Sequence, residues 1–260
     1  MVKPREMREH RGWAFGVAVC LLKPVLLATT RHEWLDGDKI PEHGGAVIVA
    51  NHISHVDPLT FAHLVYDHGR LPHYLAKVEV FRIPVLGRII AATGQIPVQR
   101  LTTDASQALS AAVEAVSQGK VVVVYPEGTL TRQPDLWPMM GRAGAARIAL
   151  AADVPVVPAA QWGAQDILYP YERRFHLFPR RTVRAKVGDP VDLDDLRGLE
   201  MTPEVLNRAT ERIMDAITRL LEDLRGEQAP PERFNPRQAR VRLVGNPNAE
   251  EKRRRRRRAR

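Results

Sequence analysis

Four consecutive valines, Val121–Val124, limit what this 260-residue chain can fold into more than any other stretch. β-branched side chains favour extended backbone, and a run without polar alternation describes a strand buried on both faces. Such a strand needs helices above and below it. The surrounding sequence supplies them. Apolar β-rich runs at 46–50, 73–76, 95–98, 121–125, 154–159 and 183–187 alternate with helical patterns at 59–68, 84–93, 103–117, 142–152 and 203–224. The alternation predicts an α/β fold with a mixed, largely parallel sheet covered by helices on both faces. The length suits one such domain, expected over residues 33–226, with an extension at either end.

Chemistry is concentrated just past the run at 46–50, in Asn51-His52-Ile53-Ser54-His55-Val56-Asp57. A strand ending at Asn51 and a helix starting near Pro58 would put His52 at the strand exit and Asp57 in the first helical turn. The carboxylate can then reach one imidazole nitrogen. An aspartate accepting from Nδ1 fixes the tautomer and leaves Nε2 to take a proton, as a general base must. Ser54, two residues from His52, points elsewhere and suits helix capping better than nucleophilic attack. His52, His55 and Asp57 also resemble metal-ligand spacing, which makes a metal-dependent hydrolase the rival reading. Zinc needs three or four ligands, and His63, His68, His73 and His176 form no second clustered motif.

The formal net charge of +9 misleads as a nucleic-acid signal. Lys252, the six arginines of 253–258 and Arg260 carry eight of those charges, leaving +1 for the remainder. No aromatic side chain is interleaved for stacking on bases, so no nucleic-acid partner is expected. An anionic membrane surface fits such a tail, at about 1 kcal/mol per basic residue near the surface. Residues 227–260 read as a disordered linker and polybasic tail. The single cysteine, Cys20, leaves no intramolecular disulfide and suits a reducing compartment. The apolar stretch 13–30 is interrupted by Lys23-Pro24 and falls short of the roughly twenty apolar residues of a spanning helix. Residues 1–32 are therefore expected to form a membrane-interfacial helix or helical hairpin, with Lys23 snorkelling and Pro24 kinking.

Three further blocks follow in order: Gly94-Gln95-Ile96-Pro97-Val98-Gln99-Arg100, Tyr125-Pro126-Glu127-Gly128-Thr129 and Val154-Pro155-Val156-Val157-Pro158. With the His52 block, over roughly residues 47–162, these resemble the glycerolipid acyltransferases of the lysophosphatidate acyltransferase type. The resemblance implies transfer of a fatty acyl group from a thioester of coenzyme A or acyl carrier protein to the hydroxyl of a lysophospholipid. The best-fitting acceptor is 1-acyl-sn-glycerol 3-phosphate, giving phosphatidic acid; glycerol 3-phosphate and a glycosylated phospholipid are the alternatives. It implies no cofactor, and a place at the cytoplasmic face of the cell membrane.

On the same resemblance His52 and Asp57 are catalytic, and Lys77, Arg100, Glu127, Gly128, Thr129 and Arg132 bind substrate. Arg100 offers a planar donor fork for phosphate oxygens, with Lys77 as a second cation. Gly128 would let backbone N–H groups approach an anion, and Glu127 would orient Arg100 or accept from the acceptor's glycerol hydroxyl. The block from Val154 reads as a buried strand shaping an acyl channel. Two positions depart from the family pattern. Leu130 stands where an arginine is usual, with Arg132 two residues on, and Arg142 stands where a lysine is common. Both bear on the acceptor more than on the reaction type.

Overall fold

The computed structural model describes residues 5–7, 9–98, 105–243 and 245–246. Its centre is a seven-stranded sheet of β1 (Thr30–Leu35), β2 (Ala46–Ala50), β3 (Pro72–Lys77), β4 (Ile96–Val98), β5 (Val121–Val124), β6 (Val156–Trp162) and β7 (Arg181–Val187). The spatial order is β1-β7-β6-β2-β5-β3-β4, so β2 is the middle strand. Neighbours run parallel except β6 and β7. This is the mixed, largely parallel sheet that the alternation predicts.

Successive strand side chains face opposite ways, and both faces are covered. Val47, Val49, Val122 and Val124 pack with Ala112 and Val116 of α5 (Ala105–Ser117), Ile148 of α6 (Gly144–Ala152), and Ile213 and Ile217 of α7 (Pro203–Arg225). Ile48, Ala50, Val121 and Val123 turn onto Phe61, Leu64 and Val65 of α2 (Asp57–Asp67). Two-sided burial is why the valine run carries no polar residue, and each such side chain contributes roughly 1.5–3 kcal/mol. Thr202 caps α7 by accepting from Val205 N, and Gly226, with φ 65°, ends it.

Several boundaries differ from expectation. β1 is a strand that the sequence pattern did not reveal; it lies at the sheet edge with Arg31, Glu33 and Leu35 exposed. The single helix expected at 84–93 is preceded by a short α3 (Val78–Phe81) and begins at α4 (Leu86–Ala92). At the N-terminal end, α1 (Trp13–Thr29) is one helix with Pro24 inside it, not a hairpin. Lys23 does not snorkel outward: its Nζ lies 2.7 Å from Asp67 Oδ1 on α2, and Trp34 Nε1 donates to Asp67 Oδ2 at 3.3 Å. Arg180 donates to the Leu27 and Thr30 carbonyls, at 2.7 and 2.6 Å, and so satisfies the open end of α1. Among the described residues no helix is long and apolar enough to cross a membrane.

The reach expected as a disordered linker from residue 227 returns to the domain over its described part. Met140 N donates to Phe234 O at 3.0 Å, and Arg233 pairs with Glu211 and Asp215 of α7. The basic run 252–260 and Arg100 lie outside the described residues.

Candidate active site

Asn51 fixes the direction in which the chain leaves β2. Its Nδ2 donates to Gln161 O at 3.0 Å, its Oδ1 accepts from Gln161 N at 2.8 Å, and Gln161 Nε2 donates to Asn51 O at 3.2 Å. These bonds carry the β2–β6 pairing one residue past the strand. His52 follows, held on both sides of its backbone: its N–H donates to Glu127 Oε1 at 3.1 Å, and its carbonyl accepts from Thr131 N at 2.8 Å. The block after β5 therefore braces the histidine.

The imidazole is set by Asp57, the first residue of α2. His52 Nδ1 donates to Asp57 Oδ2 at 2.9 Å, and the same oxygen accepts from Ile53 N at 2.6 Å and Ser54 N at 2.8 Å. One carboxylate oxygen thus closes the turn and orients the ring. Asp57 is fully buried, while 15% of the His52 side chain reaches solvent. The ring stacks on Tyr125, with centroids 4.1 Å apart and planes 14° from parallel. Burial above all, with the nearby Asp57 charge adding to it, pushes both Tyr125 and Tyr74 well above the ordinary tyrosine value, so both phenols are neutral.

Ser54 is occupied elsewhere, as its position suggested. Its Oγ donates to Leu168 O at 2.7 Å and accepts from Val56 N at 3.1 Å, within the loop rather than as the cap of α2, which is Val56. His55 is exposed and meets Tyr171 edge-on at 6.3 Å. Partial burial of its ring, then the proximity of His52 and Lys77, holds its pKa below the usual histidine value.

Because β2, β3 and β5 are parallel, Lys77 and the 125–132 block stand at the same end of the sheet as His52. The substrate-facing roles expected there are redistributed. Glu127 is 1% exposed and its Oε2 accepts from Met139 N at 3.1 Å, so it joins two stretches of backbone instead of meeting a glycerol hydroxyl. Burial raises its pKa from 4.5 to about 8, against the hydrogen bonds from Met139 and His52. Gly128 N donates to Tyr125 O at 2.9 Å and so closes a turn rather than offering its N–H to an anion. With φ 69° it needs to be glycine, and a Cβ there would sit 3.1 Å from Arg142 Cδ and Nε. The missing side chain makes room for Arg142, which is exposed and whose N donates to Pro126 O at 2.8 Å.

Arg142 is the cation that sequence reasoning noted only as a departure; the glycine it packs on lies fourteen positions away. Leu130 turns inward, and its carbonyl accepts from Tyr171 OH at 3.0 Å. Thr129 is buried beside it. Arg132 is 8% exposed, lies 4.2 Å over the Tyr171 ring, and donates from one terminal nitrogen to the carbonyls of Leu243 at 3.1 Å and Gly245 at 2.9 Å. Val156 and Val157 of the fourth block are wholly buried in β6. Among the described residues no three His, Cys, Asp or Glu side chains group to hold a metal ion.

Comparison with known proteins adds four findings. A family model described as acyltransferase matches residues 34–162. A chloroplastic 1-acyl-sn-glycerol-3-phosphate acyltransferase of Brassica napus is 32% identical over 123 residues, 47% of this chain and 34% of that protein. The 1-acyl-sn-glycerol-3-phosphate acyltransferase of Bacillus subtilis (strain 168) is 28% identical over 186 residues, 70% of this chain and 84% of that protein. The chain therefore spans about a third of the plant relative and most of the bacterial one. The crystal structure of the 1-acyl-sn-glycerophosphate acyltransferase from Thermotoga maritima superposes with a TM-score of 0.62 at 23% identity, covering 86% of both chains, which shows a shared fold.

Proposed function

From the premise that this chain belongs to the glycerolipid acyltransferases of the lysophosphatidate acyltransferase type, we propose that it moves a fatty acyl group from a thioester to the free hydroxyl of 1-acyl-sn-glycerol 3-phosphate, giving phosphatidic acid. The observation that carries the reading is the hydrogen bond from His52 Nδ1 to a buried, turn-locked Asp57. It commits Nδ1 and leaves Nε2 as the basic nitrogen. As the acceptor oxygen attacks the thioester carbonyl carbon, its proton passes to Nε2, and Asp57 stabilises the imidazolium. Collapse of the tetrahedral adduct breaks the carbon–sulfur bond, and the departing sulfur takes the proton back from Nε2. Ser54 has no part in this, so no acyl-enzyme forms.

The acceptor's phosphate is held at the sheet end where Lys77 and Arg142 are exposed and where Arg100 is expected to add a planar fork. Arg132, from the same block as Glu127, has one terminal nitrogen occupied by backbone carbonyls. Glu127 positions His52 through the backbone. The acyl donor is a thioester of coenzyme A or of acyl carrier protein.

The expected place is the cytoplasmic face of the cell membrane, and α1 supports the membrane part of that reading. It is apolar on nearly every side, yet only Ala14, Leu26 and Thr29 are buried. A helix of that kind needs apolar cover, and a bilayer surface supplies it. The test of the whole reading is a product assay with labelled acyl-coenzyme A and a panel of lysophosphatidate, glycerol 3-phosphate and phosphate-free monoacylglycerol. Labelled phosphatidic acid from the first, with the monoacylglycerol left unused, is the expected result. Equal use of the monoacylglycerol, or release of free fatty acid alone, would overturn it.

A further inference from the structure

We infer that the turn joining α3 to α4, Ile83-Pro84-Val85, is a second bilayer-docking element that acts with α1, on a surface fitting anionic phospholipid; this rests on the membrane-resident acceptor proposed above. Ile83 is 46% exposed and Val85 66%, with Pro84 exposed between them. α4 packs against α1, whose Trp13 is 71% exposed and whose Leu21 and Val25 also face solvent. The turn thus leads into a helix that touches α1, and both elements carry exposed apolar side chains, which in water need a partner.

Charge says which partner. Residues 77–98 hold Lys77, Arg82 and Arg88 against a single carboxylate, Glu79, a surplus of two positive charges, and all four side chains are exposed. An apolar tip flanked by arginines fits acyl chains below and anionic headgroups around it. The α1 face contributes no free charge of its own, since Lys23 is paired with Asp67.

The turn is also built rather than loose. Gly87 N donates to Ile83 O at 2.7 Å, and a Cβ on Gly87 would stand 2.0 Å from Phe81 O, so the chain doubles back tightly. Val85 has φ 65°, a left-handed conformation that a β-branched residue strongly disfavours. A strained valine that gains little packing in return points to a use outside the folded core. Its place fits that use. β3 ends at Lys77, at the same end of the sheet as His52, and the turn begins a few residues later. A bilayer met there lies beside the mouth of the site.

The test is flotation of the full chain with vesicles of phosphatidylcholine, alone or with phosphatidylglycerol. The variants are Ile83→Asp/Val85→Asp, Val85→Gly and, as a reference on α1, Leu21→Asp. The double variant should lose about tenfold or more in vesicle partition while keeping acyl transfer to a water-soluble short-chain lysophosphatidate. Wild-type binding should rise with phosphatidylglycerol and weaken with salt. Val85→Gly guards against misfolding: relief of the left-handed valine should leave the melting temperature unchanged or higher, yet partition should still fall. Undiminished partition of both turn variants would overturn the inference. If Leu21→Asp alone loses binding, the membrane reading of α1 stands without the turn; if no variant loses it, both fall. A wild-type dimer that the double variant dissociates in sedimentation velocity, with vesicle binding intact, would assign the surface to a second copy and overturn the inference too.

Discussion

Asp57 Oδ2 takes all three of its hydrogen bonds from donors within five residues, whereas the described cations at the same end of the sheet come from separate segments: Lys77 from the end of β3, Arg132 and Arg142 from the stretch after β5. The first region is a local turn clamped to the central strand by Asn51 and Gln161. The second is an array of long side chains gathered by topology. Proton transfer tolerates little misplacement, and a short closed turn provides the needed rigidity. On the proposed function, phosphate grip is spread over flexible arms, where one cation can change while the chemistry persists. Leu130 and Arg142, the departures from the family pattern, both fall in the second region. The base should therefore govern kcat and the cations KM.

Several measurements can break or sharpen that division. Short of removing the imidazole itself, the largest effect is expected from Asp57→Asn. Loss of the charge behind His52 should lower kcat about 10²–10⁴-fold at nearly constant KM in a detergent-micelle assay. A change confined to KM would place Asp57 with the binding groups. Arg142→Ala should raise KM for lysophosphatidate about tenfold with kcat changed by less than about threefold. Arg132→Ala should move KM less, because part of its guanidinium is engaged by Leu243 and Gly245. The reverse ranking would mean that residues 243–245 leave Arg132 when acceptor binds.

Glu127 tests the brace. Its pKa is raised on folding from 4.5 to about 8, so the folded protein binds the proton more tightly than the unfolded chain. Its contribution to stability is therefore fully present below about 4.5, falls as pH rises through that window, and is flat above about 8. Glu127→Gln should flatten this part of the melting-temperature profile, measured from pH 5 to pH 8 against wild type. A profile from this group that climbs with pH would mean that it is ionised in the fold. The smallest effect is expected from Ser54→Ala: activity within about twofold and stability lower by about 1 kcal/mol, for the bonds to Leu168 and Val56. Loss of activity on the scale of Asp57→Asn would reinstate Ser54 as a nucleophile.

What could be read in the sequence follows the same line. The buried strands announced themselves because both their faces are covered, and the His52–Asp57 pair because its partners are five residues apart. β1 escaped notice because only one side of it meets the core, so Arg31 and Glu33 break the apolar run. The Asn51–Gln161 clamp joins residues 110 positions apart, and neither amide differs in sequence from a surface one. Arg142 could not be matched to Gly128 without knowing that the turn folds beneath it. Lys23 looked like a snorkelling lysine because its partner Asp67 is on another helix. Residues 227–246 have a linker's composition, yet Arg233 finds Glu211 and Asp215 on α7, and the backbone at Phe234 meets that of Met139 and Met140.

The most direct measurement is the single-turnover rate of His52→Ala with labelled acyl-coenzyme A and saturating lysophosphatidate, on protein whose circular dichroism matches wild type. With Nε2 as the base, phosphatidic acid formation should fall by about 10³-fold or more while acceptor affinity is kept. A rate within tenfold of wild type would contradict the account, because the proton would then have another destination.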